Sequence, residues 1–187
     1  RDRAREADHN WFLSQEWVAM ALYTNAFAGD LEGLGEHLGY LQELGVNMLH
    51  VMPILKCPPG ASDGGYAISD FRDVDERIGS LDDLDALARR LHRRDMLLTL
   101  DVVVNHVSDQ HDWAQRARAG EKKYQDYFYV FDTREVPDLF EETMPEVFPE
   151  NAPGNFTWDE EMQKWVMTVF NHYQWDLNWS NPAVFAE

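Results

Sequence analysis

Three polar stretches of the chain contain residue types that can bind a ligand or do chemistry. The first is Ser62-Asp-Gly-Gly-Tyr66, where two glycines permit unusual backbone angles and can present Asp63 and Tyr66 side by side. An aromatic ring covers the apolar face of a pyranose, and a carboxylate accepts hydrogen bonds from its hydroxyl groups. A tight surface turn would have the same sequence, so this stretch alone leaves a sugar site and a structural turn equally open.

The second stretch runs from Asp101 to His106 and follows an apolar segment. Alternation along a strand puts Asp101 and Asn105 on one face, so a His106 that shares their pocket must lie just past the strand. An aspartate buried without a partner is costly, and we expect an arginine beside Asp101 that need not belong to this chain. His106 is either a satisfied core group or a hydrogen-bond donor to a substrate hydroxyl.

The third stretch, Phe170 to Pro182, is dense in aromatic and amide side chains. Amides suit sugar hydroxyls because they both donate and accept hydrogen bonds. Gln174 and Asp176 are the stronger candidates for function here. Three tryptophans are instead predicted to build the core of a small domain: Trp158, Trp165 and Trp179.

The elements that must position these stretches alternate between strand and helix. A strand is predicted from Trp17 to Tyr23, followed by a helix that Asp30 caps and Gly45 ends. The leucines at 31, 34, 38 and 41 lie on one face of this helix. A second strand is predicted over Val46–Ile54, although Pro53 indicates that it is already ending there.

A second helix and a third strand follow. Ser80 and Asp83 have the spacing of a capping box, and acids in the first turn with arginines in the last suit the helix dipole. Met96 to Val104 is nearly continuous in apolar residues, as expected of a parallel sheet covered on both faces. We interpret Leu97 to His106 as one buried barrel strand whose polar end belongs to a sugar-binding site.

Beyond His106 the chain contains recurrent prolines and most of its aromatic residues. Residues 155–158 and 164–168 are predicted to pair as a hairpin across the polar segment 159–163, within a small irregular domain. No long amphipathic helix is predicted in this part of the chain.

An alternating strand and helix order is compatible with an open doubly wound sheet or with an eightfold barrel. The glycine pattern that cradles phosphate in nucleotide-binding sheets is missing, because Tyr23–Asp30 offers only Gly29. The predicted fold is therefore α/β: the N-terminal part of a (β/α)8 TIM barrel (β-α-β-α-β), followed by an irregular inserted domain.

Such a barrel needs roughly 250 residues, so we expect the chain to be a fragment. The expected divisions are a linker over 1–16, the first three barrel units over 17–106, the inserted domain over 107–182 and the return to the barrel over 183–187.

Composition excludes several classes of partner. Sixteen Lys and Arg against 34 Asp and Glu give a net charge of −18, which repels nucleic acid and anionic membrane surfaces. Cys57 is the only cysteine, so an internal disulfide and a cysteine-based zinc cluster are ruled out. No apolar run approaches the roughly 20 residues that cross a bilayer. No signal peptide is visible in this segment, and cytoplasmic and secreted bacterial locations both stay open, as does the oligomeric state.

Together the motifs resemble the α-amylase superfamily of retaining glycosidases and transglycosylases (glycoside hydrolase family 13), and most closely its amylosucrase branch. Three motifs in the expected order carry the resemblance: Asp63-Gly-Gly-Tyr66, Asp101-Val-Val-Val-Asn-His106 and Gln174-Trp-Asp-Leu-Asn178. Segments between them, such as Met52-Pro-Ile-Leu-Lys-Cys-Pro58, extend the similarity over nearly the whole chain. The inserted domain would then be the domain B of this superfamily.

The resemblance implies that five residues contact the substrate: Asp63, Tyr66, His106, Phe170 and Gln174. Tyr66 would stack on the glucosyl ring, and Asp63 would close the pocket with an arginine from beyond residue 187. His106 would bind glucosyl hydroxyls, and both Tyr66 and His106 are expected at the pocket rim. Three residues would support the site structurally: Asp101, Asn105 and Asp176.

In calcium-dependent amylases the residue matching Asn105 is a metal ligand. The amylosucrase branch does not require that calcium, so the resemblance implies neither a metal nor a cofactor.

The resemblance also implies that the nucleophile and the acid/base lie beyond Glu187, so no catalytic residue is expected in this chain. Retaining chemistry needs two carboxyl groups roughly 5 Å apart. The intact enzyme, with the remainder of the barrel, would split sucrose and transfer glucose to an α-glucan acceptor with release of fructose. A sucrose hydrolase is the alternative, and a non-catalytic carbohydrate-binding relic is an alternative of another class.

Overall fold

The computed structural model describes residues 2–187, except for the side chains of Asp2 and Ala4. The chain divides into two compact units. The first comprises residues up to Ile54 together with Asp73–Val102, and the second comprises Leu55–Arg72 and Val103–Glu187. Residues 55–72 and 103–106 therefore group with the later part of the chain, whereas the sequence analysis assigned them to the barrel units. Position 1 of the predicted linker lies outside the described residues.

The structure contains short helices and short strands, in this order along the chain. The helices are α1 (Asp2–Ala7), α2 (Thr24–Phe27), α3 (Leu31–Glu36), α4 (Leu38–Glu43), α5 (Leu81–Arg93), α6 (Asp112–Arg118), α7 (Lys122–Gln125), α8 (Glu135–Glu141) and α9 (Pro182–Ala186). The strands are β1 (Ala19–Leu22), β2 (Met48–Val51), β3 (Leu55–Lys56), β4 (Asp70–Val74), β5 (Leu97–Leu100), β6 (His106–Ser108), β7 (Val130–Phe131), β8 (Phe156–Asp159), β9 (Lys164–Met167) and β10 (Gln174–Asp176). Among the described residues, no helix has the length and apolar character needed to span a membrane.

The first unit is built on a parallel sheet in the order β1-β2-β5. Helices lie between successive strands, which confirms the alternating α/β order predicted for this part of the chain. Its core is made of buried aliphatic side chains from the sheet and the helices: Leu22, Leu31, Leu34, Leu38, Leu41, Val46, Leu49, Val51, Ile54, Val74, Leu87, Leu91 and Met96.

The helix predicted after Asp30 is divided in two. Asp30 accepts the backbone N–H of Gly33 and caps α3 as expected, but α3 ends at Glu36 and α4 begins at Leu38, with His37 as the cap between them. Three glycines, at 33, 35 and 39, weaken a continuous helix because glycine has the poorest helix propensity after proline. The capping box of α5 is confirmed in both directions between Ser80 and Asp83.

The long strand predicted over Leu97–His106 is wrong. The parallel strand β5 ends at Leu100, and β6, beginning at His106, pairs antiparallel with β10 instead. Val102 and Val104 between them are 64% and 50% exposed. The apolar run therefore contributes strands to two different sheets. Its composition alone does not show this division.

The second unit contains the predicted hairpin. Strands β8 and β9 pair antiparallel, and β7 adds to β9 to make a sheet in the order β7-β9-β8. Trp158 and Trp165 pack together at 5.4 Å between ring centroids. Trp179 was expected in the core, but it is 45% exposed and donates its indole N–H to the carbonyl of Val104. The buried tryptophan of this unit is Trp175.

Candidate functional site

The loop at Ser62–Tyr66 adopts the unusual backbone angles that its glycines permit. Gly64 and Gly65 have φ of 66° and 100°, and Asp63 itself lies in the left-handed region at 50°. This region is unfavourable for a residue with a Cβ, and aspartate is among the few that tolerate it. Neighbouring groups must therefore hold Asp63 in place.

Pairing of β6 with β10 brings two of the predicted site residues together. In the register, Asp176 faces His106 and Gln174 faces Ser108. The Gln174 amide nitrogen lies 2.9 Å from His106 Nε2 and donates to the Asp63 carboxylate at 3.2 Å. Gln174 is completely buried and His106 is 3% exposed. Asp63, His106 and Gln174, predicted from three separate stretches, thus form one cluster.

The orientation of the Gln174 amide follows from its own partners. Its oxygen accepts hydrogen bonds from the backbone N–H of Asn171 at 3.0 Å and from the Asn171 side-chain amide at 2.8 Å. The Gln174 NH₂ group therefore faces His106 Nε2, which must act as the acceptor.

Burial keeps the His106 ring neutral near pH 7. Burial lowers the pKa of His106 below its usual value, whereas a backbone hydrogen bond with Tyr66 and the charge of Asp63 work in the opposite direction. His106 is buried, so its expected position at the pocket rim is wrong. The reason is that His106 begins β6 and lies against β10.

The Phe170 ring lies beside this polar cluster, and Tyr66 belongs to the loop that carries Asp63. Phe170 contacts the His106 ring at 4.9 Å between centroids, and Phe170 and Tyr66 are both half-buried. Rings that are only partly covered can still present a face to a ligand, as sugar binding requires.

A second polar pair joins the exposed residue Asn105 to the buried Asp176. The Asn105 side-chain N–H donates to one oxygen of Asp176 at 2.7 Å, and the backbone N–H of Val169 donates to the other at 2.7 Å. Burial raises the pKa of Asp176 to about 6, despite these two hydrogen bonds, which lower it.

This arrangement does not fit a bound cation, because an amide N–H of Asn105 faces the carboxylate where a positive ion would have to lie. The residues that the structure describes also contain no group of three or more His, Cys, Asp or Glu side chains suited to a metal.

Asp101 belongs to the first unit, where its carboxylate lies 2.7 Å from His50 Nε2. His50 is on β2, the strand next to β5, so adjacent strand ends bring the two together. The expected partner of Asp101 was an arginine, and the histidine on the neighbouring strand was not predicted. Val51 pairs with Leu100 in the register, so His50 and Asp101 lie directly before and after this pair. Aligning the two predicted strands would have brought these two residues together.

Two residues of the site were missed by the sequence analysis. Asn171 orients Gln174, and the pKa of the Tyr173 phenol is raised by burial and by the charge of nearby Asp63. Both lie within the Phe170–Pro182 stretch, whose density in amides and aromatic rings was the available signal. Their roles depend on the approach of the 62–66 loop, which no local pattern encodes.

On this α/β chain a buried amide, a neutral imidazole and a carboxylate converge beside partly covered aromatic rings, and groups of this kind suit an uncharged, hydroxyl-rich ligand. Comparison with known proteins gives the family. The Alpha-amylase family model, for the catalytic domain of alpha amylase, matches residues 6–187. The chain therefore belongs to the alpha-amylase family, glycoside hydrolase family 13.

Individual relatives agree with this assignment. Alpha-glucosidase of Schizosaccharomyces pombe is 36% identical over 161 residues, covering 83% of this chain and 27% of that protein. Trehalose synthase of Pimelobacter sp. is 37% identical over 157 residues, covering 83% of this chain and 26% of that protein. The chain thus spans little more than a quarter of the length of these relatives.

Solved structures show the same likeness. A variant of isomaltulose synthase from Erwinia rhapontici NX5, in complex with D-glucose, matches with a TM-score of 0.79 and 29% identity over 90% of this chain and 30% of that one. Trehalulose synthase MutB from Pseudomonas mesoacidophila MX-45 matches with a TM-score of 0.77 and 31% identity, covering 90% and 31% of the two chains. The fold is an α/β part of such TIM-barrel enzyme structures.

Proposed function

We propose that this chain supplies part of the glucosyl-binding site of an enzyme that cleaves sucrose with retention and transfers glucose to an α-glucan, releasing fructose. The observation that carries the proposal is the convergence of Gln174, His106 and Asp63 beside half-buried Tyr66 and Phe170. In this proposal Tyr66 covers the apolar face of the glucosyl ring, and Asp63 and His106 bind its hydroxyl groups.

The sugar class is supported by the relatives. Their names refer to trehalose, maltose, isomaltulose and trehalulose, and one solved MutB variant holds its substrate sucrose. Sucrose, trehalose and maltose all contain an α-linked glucosyl unit. A shared binding site for this unit is therefore the common requirement.

The reacting groups are proposed to lie outside this chain. Asp63 is held by Gln174, and both oxygens of Asp176 accept N–H donors, so these carboxylates are engaged in holding the site together. Cleavage with retention needs one carboxylate to attack the anomeric carbon and a second carboxyl group to protonate the leaving oxygen. The remainder of the barrel would supply both.

Two other outcomes of sucrose cleavage stay open under this proposal. Water as acceptor would make the enzyme a sucrose hydrolase. Rebinding of fructose to the glucosyl unit would make it a sucrose isomerase, a possibility favoured by the structural matches to isomaltulose and trehalulose synthases. A non-catalytic carbohydrate-binding protein is the alternative of another class.

The test is incubation of the complete natural protein with sucrose, followed by separation of the products. Free fructose with insoluble glucan is the expected result. Equal amounts of glucose and fructose would indicate the hydrolase, and isomaltulose or trehalulose would indicate the isomerase. A protein that binds sucrose without changing it would contradict the enzymatic proposal.

The same assay tests the site. Tyr66→Ala and His106→Ala are each expected to reduce sucrose turnover at least tenfold, because each removes direct contact with the glucosyl unit. Tyr129→Ala, a half-buried tyrosine next to β7, is the matched control. Unchanged turnover in both site variants would show that the binding residues are wrongly assigned.

A further inference from the structure

The second unit contains a pocket of about 500 Å³ whose wall includes none of the five residues assigned to the glucosyl site. All the residues that line it belong to the second unit. Four of them are aromatic, Phe71, Trp113, Trp179 and Phe185, and a buried histidine, His111, lies among them. A pocket of this volume is within the range that small ligands occupy. We call it the His111 pocket.

His111 has a hydrogen-bond donor that no part of the described chain uses. Its side chain is 6% exposed, and its Nδ1 accepts the backbone N–H of Trp113 at 3.1 Å. A ring nitrogen that accepts carries no proton, so the proton of the imidazole is on Nε2. Nε2 makes no hydrogen bond with any residue that the structure describes. A donor left unpaired in a buried side chain is costly, and an acceptor on a ligand would satisfy it.

The direction of this donor is set by the packing of the ring. His111 lies between Phe71 and Trp113, at 5.6 Å and 4.6 Å between ring centroids. Burial lowers the pKa of His111 below its usual value, against the charges of Asp70 and Asp112. The ring therefore stays neutral near pH 7, and its single N–H is held in one orientation.

Two rings of the pocket are open to solvent. Trp179 is 45% exposed and Phe185 is 82% exposed, and they meet edge to face at 6.4 Å between centroids. The Trp179 indole N–H is already satisfied, because it donates to the carbonyl of Val104 at 2.8 Å. That bond fixes the ring and leaves only apolar surface for a ligand. The C–H face of a pyranose covers a ring of this kind.

The charges of the pocket favour an uncharged ligand. Three carboxylates, those of Asp70, Asp112 and Glu187, line it against one guanidinium, that of Arg72. The excess of negative charge repels phosphate and other anions. Carboxylates accept hydrogen bonds from sugar hydroxyls, and a guanidinium donates to them. Rings, a fixed donor and these polar groups together suit a neutral saccharide.

We propose that the His111 pocket is a second carbohydrate-binding site, which holds glucosyl units of an α-glucan on residues other than those of the glucosyl site. Trp179 stacks on one unit, and His111 Nε2–H donates to a hydroxyl oxygen. The choice of an α-glucan rests on the proposed function, whereas the preference for an uncharged sugar rests on the pocket itself. The site binds the chain and takes no part in bond cleavage.

The test is isothermal titration of the complete natural protein with maltoheptaose, a linear α-1,4-linked glucan. Two binding events are expected. Tyr66→Ala is expected to remove the event at the glucosyl site, and Trp179→Ala is expected to weaken the other at least tenfold, because a stacking surface is lost. Phe185→Ala is expected to weaken the same event about threefold. Phe12→Ala, an exposed phenylalanine of the first unit, is the matched control and leaves both events unchanged.

His111→Asn tests the donor and keeps the local fold. Asparagine is a good helix cap, so its side-chain oxygen replaces Nδ1 as acceptor for the Trp113 N–H, while the Nε2–H is removed. Binding of maltoheptaose to the pocket is expected to weaken about three- to tenfold. Initial cleavage of sucrose without added glucan is expected to stay within twofold of the wild type in Trp179→Ala, because Trp179 does not belong to the glucosyl site.

A single binding event that Tyr66→Ala removes and Trp179→Ala leaves unchanged would overturn the proposal. So would hydroxyl-radical labelling that finds Trp179 and Phe185 protected in the complete protein without sugar, since the rest of the protein would then cover the pocket. Failure of the proposed function has a different signature. A protein that leaves sucrose unchanged but still binds maltoheptaose, with loss of that binding in Trp179→Ala, would keep the second site and remove the enzymatic assignment.

Discussion

At the scale of single residues, the site depends on polar groups that are buried and mutually satisfied. Gln174 is the central one, because its amide reaches Asp63 and His106 with one end and Asn171 with the other. A buried network of this kind specifies one arrangement, since each unmade hydrogen bond costs about 1 to 3 kcal/mol.

Asp176 is expected to titrate far from an ordinary aspartate. Burial raises its pKa to about 6, so the folded state takes up a proton between about pH 6 and pH 4 before the unfolded state does. The contribution of Asp176 to the free energy of unfolding therefore increases as pH falls through that window, by up to about 3 kcal/mol. The measurement is the carboxyl ¹³C titration of Asp176, together with denaturant unfolding of wild type and Asp176→Asn.

The unfolding free energy of the wild type, relative to Asp176→Asn, is expected to fall as pH rises from 4 to 7. Asn105→Ala removes one donor to the carboxylate and is expected to raise the pKa of Asp176 further. A titration midpoint below 4.5 for Asp176 would contradict the account of its burial.

At the scale of elements, two helical glycines of the first unit differ in how closely other atoms approach them. A Cβ on Gly33 would lie 2.4 Å from the backbone carbonyl oxygen of Ala28, whereas a Cβ on Gly39 would meet nothing within 4 Å. Both glycines are helical, in α3 and α4. Only the first is required by its surroundings.

Gly33→Ala and Gly39→Ala are therefore expected to have opposite effects. Gly33→Ala forces backbone against backbone and is expected to destabilise the protein by about 1 to 3 kcal/mol. Gly39→Ala lowers the entropy of the unfolded chain and is expected to stabilise it by about 0.5 to 1 kcal/mol. Thermal or denaturant unfolding of the pair decides this, and a loss of stability in both would show that α4 is packed against something at position 39.

At the scale of the whole molecule, each compact unit has its own core, and the second is made of short elements. Arg118 connects three of them: it donates to Asp159 at the end of β8 and to Asp109 after β6, and it lies over the ring of Trp175 in β10. Its side chain is 14% exposed. This largely covered ion pair therefore ties α6 to β8, to the residue after β6 and to β10.

Arg118→Leu is expected to destabilise the protein by about 3 kcal/mol, because it leaves Asp109 and Asp159 without their common partner. Arg116→Leu in the same helix is the control, since its ion pair with Glu121 is far more exposed and is weakened by salt. Urea unfolding at low and high salt measures both. Equal losses in the two variants would mean that burial of the Arg118 pair adds nothing.

The order of the elements in the first unit was predictable because it depends on local signals. Apolar runs of strand length, the Asp30 cap and the Ser80–Asp83 capping box are all encoded within a few residues, and the structure contains them. The family motifs were equally readable, and the family itself is now established. The hairpin of β8 and β9 followed from alternation and a polar turn.

Other features were decided only by tertiary structure. The chain after Leu97 forms two strands, β5 in a parallel pair with β2 and β6 in an antiparallel pair with β10. The second strand forms because β10 lies beside His106 and pairs with its backbone. Asn171 acquired its role through Gln174, which reaches the 62–66 loop across more than 100 residues of sequence. By itself the sequence determined which residue types could bind a sugar, because side-chain chemistry is local. Tertiary structure decided which of them share a site, because contact between distant segments depends on how strands pair.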